Sequence, residues 1–232
     1  MLEIEDLSLE NELFEGRAET LVPIEITRSK GETRIVTFSR ILDVARELEK
    51  KFSSDPFSDN AISFVEEKMA EIIKKWGYFT DDYFPKHILT YLAEDIDESL
   101  ILPTTKMIKS TDGYENLTEY ELEPIDNSSD EVYFVTETDG KIVSVCEMNA
   151  EDAFLGATEI NVFTAEDYRK KGYAQSNATA MVKYLASLGR KVAYTAPIDN
   201  KSSVHVAEQC GFKLIAETYY YICYLEENNE EK

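Results

Sequence analysis

Arg169-Lys170-Lys171-Gly172-Tyr173-Ala174 is the stretch that decides how this sequence folds. Three consecutive cations stand here in a chain of formal net charge −22, and a glycine follows them directly. After it, Ala178, Met181, Val182, Leu185 and Leu188 recur at helical spacing. Before it, Thr158 to Thr164 reads as a strand. A strand, a short glycine-containing turn and a helix together present backbone N–H groups to a phosphate. Cations at a helix N-terminus oppose its dipole unless an anion sits there, so a phosphate-bearing ligand is expected at this turn. The plainer alternative is a solvated basic first turn of an ordinary helix.

Working outward, Gly189 stops the helix and Lys191 to Thr195 forms a further strand. Pro197-Ile198-Asp199-Asn200 leads into a short helix that Asn200 caps and Gly211 ends. Lys213 to Leu225, rich in Ile, Tyr and Thr, closes the sheet as one long strand or two short ones. Upstream, Val132–Val135 and Ile142–Cys146 flank Asp139-Gly140, the pattern of a hairpin with a tight turn. Residues 126–130 read as a loop, and a domain boundary is expected near residue 125, between an N-terminal region 1–125 and a second domain 126–232.

From about residue 130 to 225, the order strand–strand–strand–helix–strand–helix–strand resembles the GNAT superfamily of acetyl-CoA-dependent acyltransferases. Two motifs carry the resemblance. Arg169-Lys-Lys-Gly172-Tyr-Ala174 is similar to the family's Gln/Arg-x-x-Gly-x-Gly/Ala signature, and Asn200 to Gly211-Phe212, with small Ser203 three residues on, is similar to its second. The resemblance implies a mixed, mostly antiparallel sheet flanked by helices, of α+β or α/β class, and acetyl-CoA as cofactor. It says little about the first 125 residues. It places the backbone of Val162 and Thr164 along the pantetheine arm and the pyrophosphate at Lys170, Lys171, Gly172, Tyr173 and Ala174. Arg169 adds a charge-assisted contact there. Asn200 and Ser203 stand at cofactor-side positions of the second motif, although capping alone explains both equally well.

Acetyl transfer to an amine needs a base for the amine and, usefully, a donor for the departing thiolate. The resemblance makes Glu159 the candidate base. Counted back from Arg169 it is one residue out of register, which puts a strand side chain on the opposite face unless a bulge in that strand intervenes. Many members of the superfamily carry a tyrosine acid four residues before the Gly of Gly-Phe, and Ala207 stands there instead. Tyr194, Tyr219, Tyr220, Tyr221 or water remain as substitutes, with His205 a weaker one. Three readings follow: an N-acetyltransferase of unidentified amine acceptor, an acyl-CoA-binding regulatory module with little or no catalysis, and an interaction domain that binds no coenzyme.

Composition bounds the choice. At 232 residues, 43% hydrophobic and 11% aromatic, the chain can build a substantial core. No apolar run approaches the roughly 20 residues that span a bilayer, and the first residues have no signal-peptide character. Cys146, Cys210 and Cys223 are odd in number and share no metal-ligand spacing, so no metal site is expected. These features point to a soluble protein of the reducing cytoplasm. The acidic balance opposes nucleic acid and anionic membranes as partners, and it permits a cationic small-molecule or peptide amine without requiring one, since solubility alone accounts for it.

The N-terminal region is expected to be mainly helical. Val22, Ile24 and Ile26 alternate as a strand, and Ser29–Glu32 turns into a second one over Arg34–Thr37. Ile41, Ala45, Leu48 and Phe52 mark a helix. Ile62 to Trp76 marks another, ended by Gly77. Pro85 as a first helical residue, with Ile88, Leu89, Leu92 and Ile96, predicts a third. His87, beside that start, is expected to be structural or exposed.

Overall fold

A computed structural model describes residues 1–5, 7–80, 87–109, 132–154 and 156–226, with the side chains of 150–154 excepted. The chain divides into two compact units: Met1–Ile88 together with the chain from Ala216 onward, and Leu89–Ile215. The expected boundary near residue 125, the loop at 126–130 and Pro85 lie outside the described residues. The two units divide at 88/89 and 215/216.

The first unit is built on strands β1 (Leu2–Ile4), β2 (Thr20–Ser29), β3 (Glu32–Thr37) and β4 (Tyr78–Phe79), with most of the last strand, β11 (Phe212–Leu225). The order is β1-β3-β2-β11, and β4 pairs with β11. Lys30 and Gly31 both take positive φ, 52° and 80°, which is how a two-residue turn follows the twist of the β2–β3 hairpin. Helices α1 (Leu7–Glu15), α2 (Leu42–Phe52) and α3 (Asp59–Trp76) accompany them. Ala45 and Leu48 of α2, with Val65, Met69 and Ile73 of α3, bury the predicted faces. Gly77 ends α3 in the left-handed conformation, as expected. The fully buried Glu10 is satisfied by the Ser39 N–H at 2.7 Å, the Ser39 hydroxyl at 2.8 Å and Arg40 Nε at 2.8 Å.

The expected third N-terminal helix is a strand, β5 (His87–Ala93). Its apolar positions satisfy a helical count, but Ile-Leu-Thr-Tyr-Leu is rich in β-branched and aromatic residues, and its centre, Thr90 and Tyr91, is buried. His87 bonds Glu217 of β11 at 2.8 Å and lies 5.5 Å from the Phe57 ring, a structural placement.

The second unit orders its strands β5-β10-β9-β8-β7-β6. These are β6 (Thr105–Ile108), β7 (Tyr133–Thr138), β8 (Lys141–Phe154), β9 (Ala157–Thr164) and β10 (Lys191–Pro197). β6 lies just after Pro103 in a stretch of mixed, largely polar composition. The hairpin β7–β8 turns at Asp139 and Gly140, both at positive φ, as the Asp-Gly pair predicts. Pairing is antiparallel from β6 to β9 and parallel between β9 and β10. α4 (Tyr173–Ser187) packs on β7, β8 and β9, and α5 (Lys201–Gln209) on β10. Ala178, Met181, Val182 and Leu185 of α4 enter a core with Ile160, Val192, Tyr194 and Phe212. Each large apolar side chain so buried contributes about 1.5–3 kcal/mol. Gly211 ends α5 at φ 85°, and a Cβ there would collide with the Asp95 carbonyl oxygen, so only glycine fits. β11 is a single long strand that leaves this unit at residue 215 and enters the other at 216.

Candidate active site

β9 and β10 pair over three residues only: Ala157 with Lys191, Thr158 with Val192, and Glu159 with Ala193. Beyond Glu159 and Ala193 the two strands part. The backbone of Ile160–Thr164 therefore has β8 on one side and no β10 ladder on the other. Val162 and Thr164 lie on this parted segment, and both line a cavity of about 910 Å³.

The turn at residues 169–172 forms the next wall. A short 3₁₀ turn, Glu166–Tyr168, ends at Arg169, whose Nε donates to the Thr164 carbonyl at 3.1 Å and ties the turn to the strand end. Lys170 at φ 63° and Gly172 at φ 81° are left-handed, a geometry that turns successive N–H groups to one side. α4 starts at Gly172 without a side-chain cap, and its first helical bond runs from Ser176 N to the Gly172 carbonyl at 2.9 Å. The N–H groups of Tyr173, Ala174 and Gln175 thus have no partner within the helix. A Cβ added at Gly172 would meet nothing nearer than Leu102 Cδ1, at 3.9 Å, so backbone conformation rather than crowding selects glycine.

α5 starts at the same cavity. Asn200 caps it: the side-chain Oδ1 accepts from Ser203 N at 3.1 Å and from the Ser202 hydroxyl at 2.8 Å. Of the residues expected at the cofactor, Val162, Thr164, Arg169, Lys170, Gly172, Tyr173, Ala174, Asn200 and Ser203 all line the cavity. Lys171 does not. Its ammonium lies over the Tyr168 ring, 4.6 Å from the centroid.

A buried polar network fixes the start of α4 against the end of β9. Asn177, fully buried, accepts from Thr105 and Thr136 hydroxyls at 3.1 Å each and donates to the Ser144 hydroxyl at 3.1 Å. Ser144 in turn donates to the Phe163 carbonyl at 3.0 Å and sits 2.8 Å from the Thr164 hydroxyl. Ser176 accepts from Leu102 N at 2.8 Å and bonds Thr105 at 2.5 Å. Such a network is stable only when every member is paired, so it holds one geometry.

Glu159 is the last paired residue before the strands part. Its carboxylate accepts from Asn149 Nδ2 at 3.0 Å and from the Thr195 hydroxyl. The bulge beside it lies in β8: Met148 pairs Ile160 and Ala150 pairs Glu159, leaving Asn149 as the extra residue. β9 itself keeps strict alternation, so Glu159 shares a face with Asn161 and Phe163, opposite Ile160 and Val162. Glu159 does not line the cavity, and Ala207 is fully buried in the core beside Tyr194 and Phe212.

Of the four tyrosines considered from sequence, only Tyr194 lines this cavity. Tyr219 and Tyr221 are buried in the other unit's core. Tyr194 is 3% exposed, and burial pushes its hydroxyl up to about 12, partly offset by a hydrogen bond with the Ser203 side chain. Tyr168, Gln175 and His205 also line the cavity. Their proximity depends on the turn and helix directions, which no local pattern announces.

Among solved structures, one assigned to the GNAT acetyltransferases, from Novosphingobium aromaticivorans, is similar at TM-score 0.51 and 18% identity over 64% of this chain and 68% of that one. A GCN5-related N-acetyltransferase-like protein from Streptococcus suis is similar at TM-score 0.40 and 16% identity, over 70% of this chain and 68% of that one. An aminoglycoside N-acetyltransferase in complex with CoA is similar at TM-score 0.39 and 16% identity, over 48% and 92%. The first likeness is one of fold. No curated protein sequence matches the chain. The GNAT acetyltransferase family model matches residues 15–222, nearly the whole chain, and the protein belongs to that family.

Proposed function

We propose that the protein binds acetyl-CoA in the cavity at the parted strands and transfers the acetyl group to an amine by direct attack, without a covalent enzyme intermediate. The observation that carries this reading is the parting of β9 from β10 after Glu159, beside an uncapped, glycine-started helix. The residues present suit a long pyrophosphate ester. Its phosphates would meet the N–H groups at the start of α4, with Arg169 and Lys170 supplying local positive charge in a chain of net −22. Its amide-bearing arm would lie along Val162–Thr164, whose backbone lacks a β10 ladder there. A volume of about 910 Å³ stands at the upper end of small-molecule pockets, roughly 300–1,000 Å³.

Acetyl-CoA supplies an activated acetyl group as a thioester. The protein's part is to orient it and to manage one proton. Glu159, held by Asn149 and Thr195, stands at the apex of the fork on the face away from α4. From there it takes the acceptor's proton, directly or through water, leaving the amine neutral to attack. Glu147 and Glu159 on the same face of β8 and β9 suit an acceptor that is cationic in solution. The buried free cysteines suit a reducing, cytoplasmic setting, and no helix among the described residues is long and apolar enough to cross a membrane.

Glu159→Gln keeps the shape and removes the base. Its expected effect is a loss of about 100-fold in kcat with little change in acetyl-CoA affinity. An amine panel showing no turnover at any pH, with the coenzyme bound in calorimetry, would favour the second reading, an acyl-CoA-binding regulatory module. The buried alanine at position 207 is the observation on that side.

A further inference from the structure

We infer that the Tyr194 hydroxyl is the hydrogen-bond donor to the departing thiolate sulfur, supplied from strand β10 where α5 offers only Ala207. This rests on the acetyl-transfer reading above. Among the described residues, three tyrosines line the cavity, Tyr168, Tyr173 and Tyr194. Tyr168 and Tyr173 flank the glycine turn, at the end suited to phosphate. Tyr194 directly follows Ala193, the last β10 residue paired with β9, so it stands at the apex of the fork. Its neighbour Thr195 faces the other way and holds Glu159. The proposed base and the proposed donor thus occupy opposite faces at one level of the sheet.

The ring is fixed. It packs edge-on against Phe212 at 5.7 Å and belongs to the core that includes Ala207. Ser203, which also lines the cavity, stands beside the Tyr194 hydroxyl, so the polar tip lies at the cavity wall.

Burial keeps this phenol protonated, with its pKa raised to about 12. A thiol ionises near about 8.5, so passing the phenol proton to the sulfur is uphill. Tyr194 therefore acts by donating a hydrogen bond and keeps its proton. The transfer balances without another reagent: the nitrogen–carbon bond forms, the carbon–sulfur bond breaks, sulfur keeps the electron pair, and the amine proton leaves through Glu159 to water.

The test reads the ionisation of bound coenzyme A by the ultraviolet absorbance of its thiolate. The wild-type protein is expected to lower the bound thiol's pKa by about one unit, and Tyr194→Phe to restore the free value with affinity changed less than about threefold. In turnover, Tyr194→Phe is expected to lower kcat about 10- to 100-fold at constant KM, with the loss shrinking for an acetyl donor whose leaving group is an aryl thiol. A difluorinated tyrosine at position 194, a stronger donor in the same shape, is expected to lower the bound thiol's pKa further, and it serves as the measurement if the phenylalanine variant does not fold. A thiol pKa indifferent to both changes, in a protein that binds the coenzyme and turns over, overturns this assignment alone. A wild-type protein that binds no coenzyme A overturns it together with the reading on which it rests.

Discussion

Helices α4 and α5 both begin at the wall of the same cavity, yet α4 starts from a left-handed glycine with no side-chain cap, whereas α5 starts from Asn200, whose carboxamide already accepts the Ser203 N–H. A capped helix start has spent its strongest side-chain acceptor on itself, and an uncapped one presents its N–H groups to whatever anion arrives. The difference suits the two helix starts to separate work: under the proposed function the first is the anion site, and the second is a cap that also forms a wall.

That contrast can be broken by experiment. Gly172→Glu puts a side chain at φ 81° and a negative charge against the uncapped turn, and it is expected to abolish coenzyme A binding, more than about 100-fold in calorimetry. Retained binding would show that the anion sits elsewhere. Asn200→Ala removes the cap of α5, and it is expected to lower stability by about 1 kcal/mol in thermal unfolding while changing coenzyme affinity less than about threefold. A large loss of affinity without a loss of stability would make α5 a binding helix after all. Lys171→Ala is expected to change affinity less than about twofold, since its ammonium lies over the Tyr168 ring and the residue does not line the cavity. A tenfold loss would return Lys171 to the phosphate.

The second half of the chain was legible because its signals are local. The Asp139-Gly140 turn, the α4 stripe and the Asn200 cap each depend on neighbours a few residues away. The walls of the cavity were legible to the same depth. Nine of the ten residues expected at the cofactor line the cavity, and the tenth, Lys171, turns onto an aromatic ring that sequence spacing does not reveal. What sequence could not show is set across strands. The bulge that holds Glu159 lies in β8 rather than in Glu159's own strand, and Tyr194 stands at the apex only because β10 parts from β9 one residue earlier. In the N-terminal region, β5 defeats periodicity: Ile88, Leu89 and Leu92 fit a helical count, while burial centred on Thr90 and Tyr91 belongs to a strand. The family relationship likewise reaches back to residue 15, well beyond the part in which its motifs can be recognised by eye.

The long strand β11 has a consequence for how the chain is made. Thr218 on β11 pairs with Thr27 on β2 across 191 positions of sequence, and the unit to which both belong is interrupted by the whole of the other. At a ribosome adding roughly 5–20 residues per second, β2 and β3 emerge early and wait many seconds for their missing neighbour. Their exposed edge must be kept from other strands in the meantime. Closing the first unit therefore waits for the last strand, after the whole of residues 89–215 has been made.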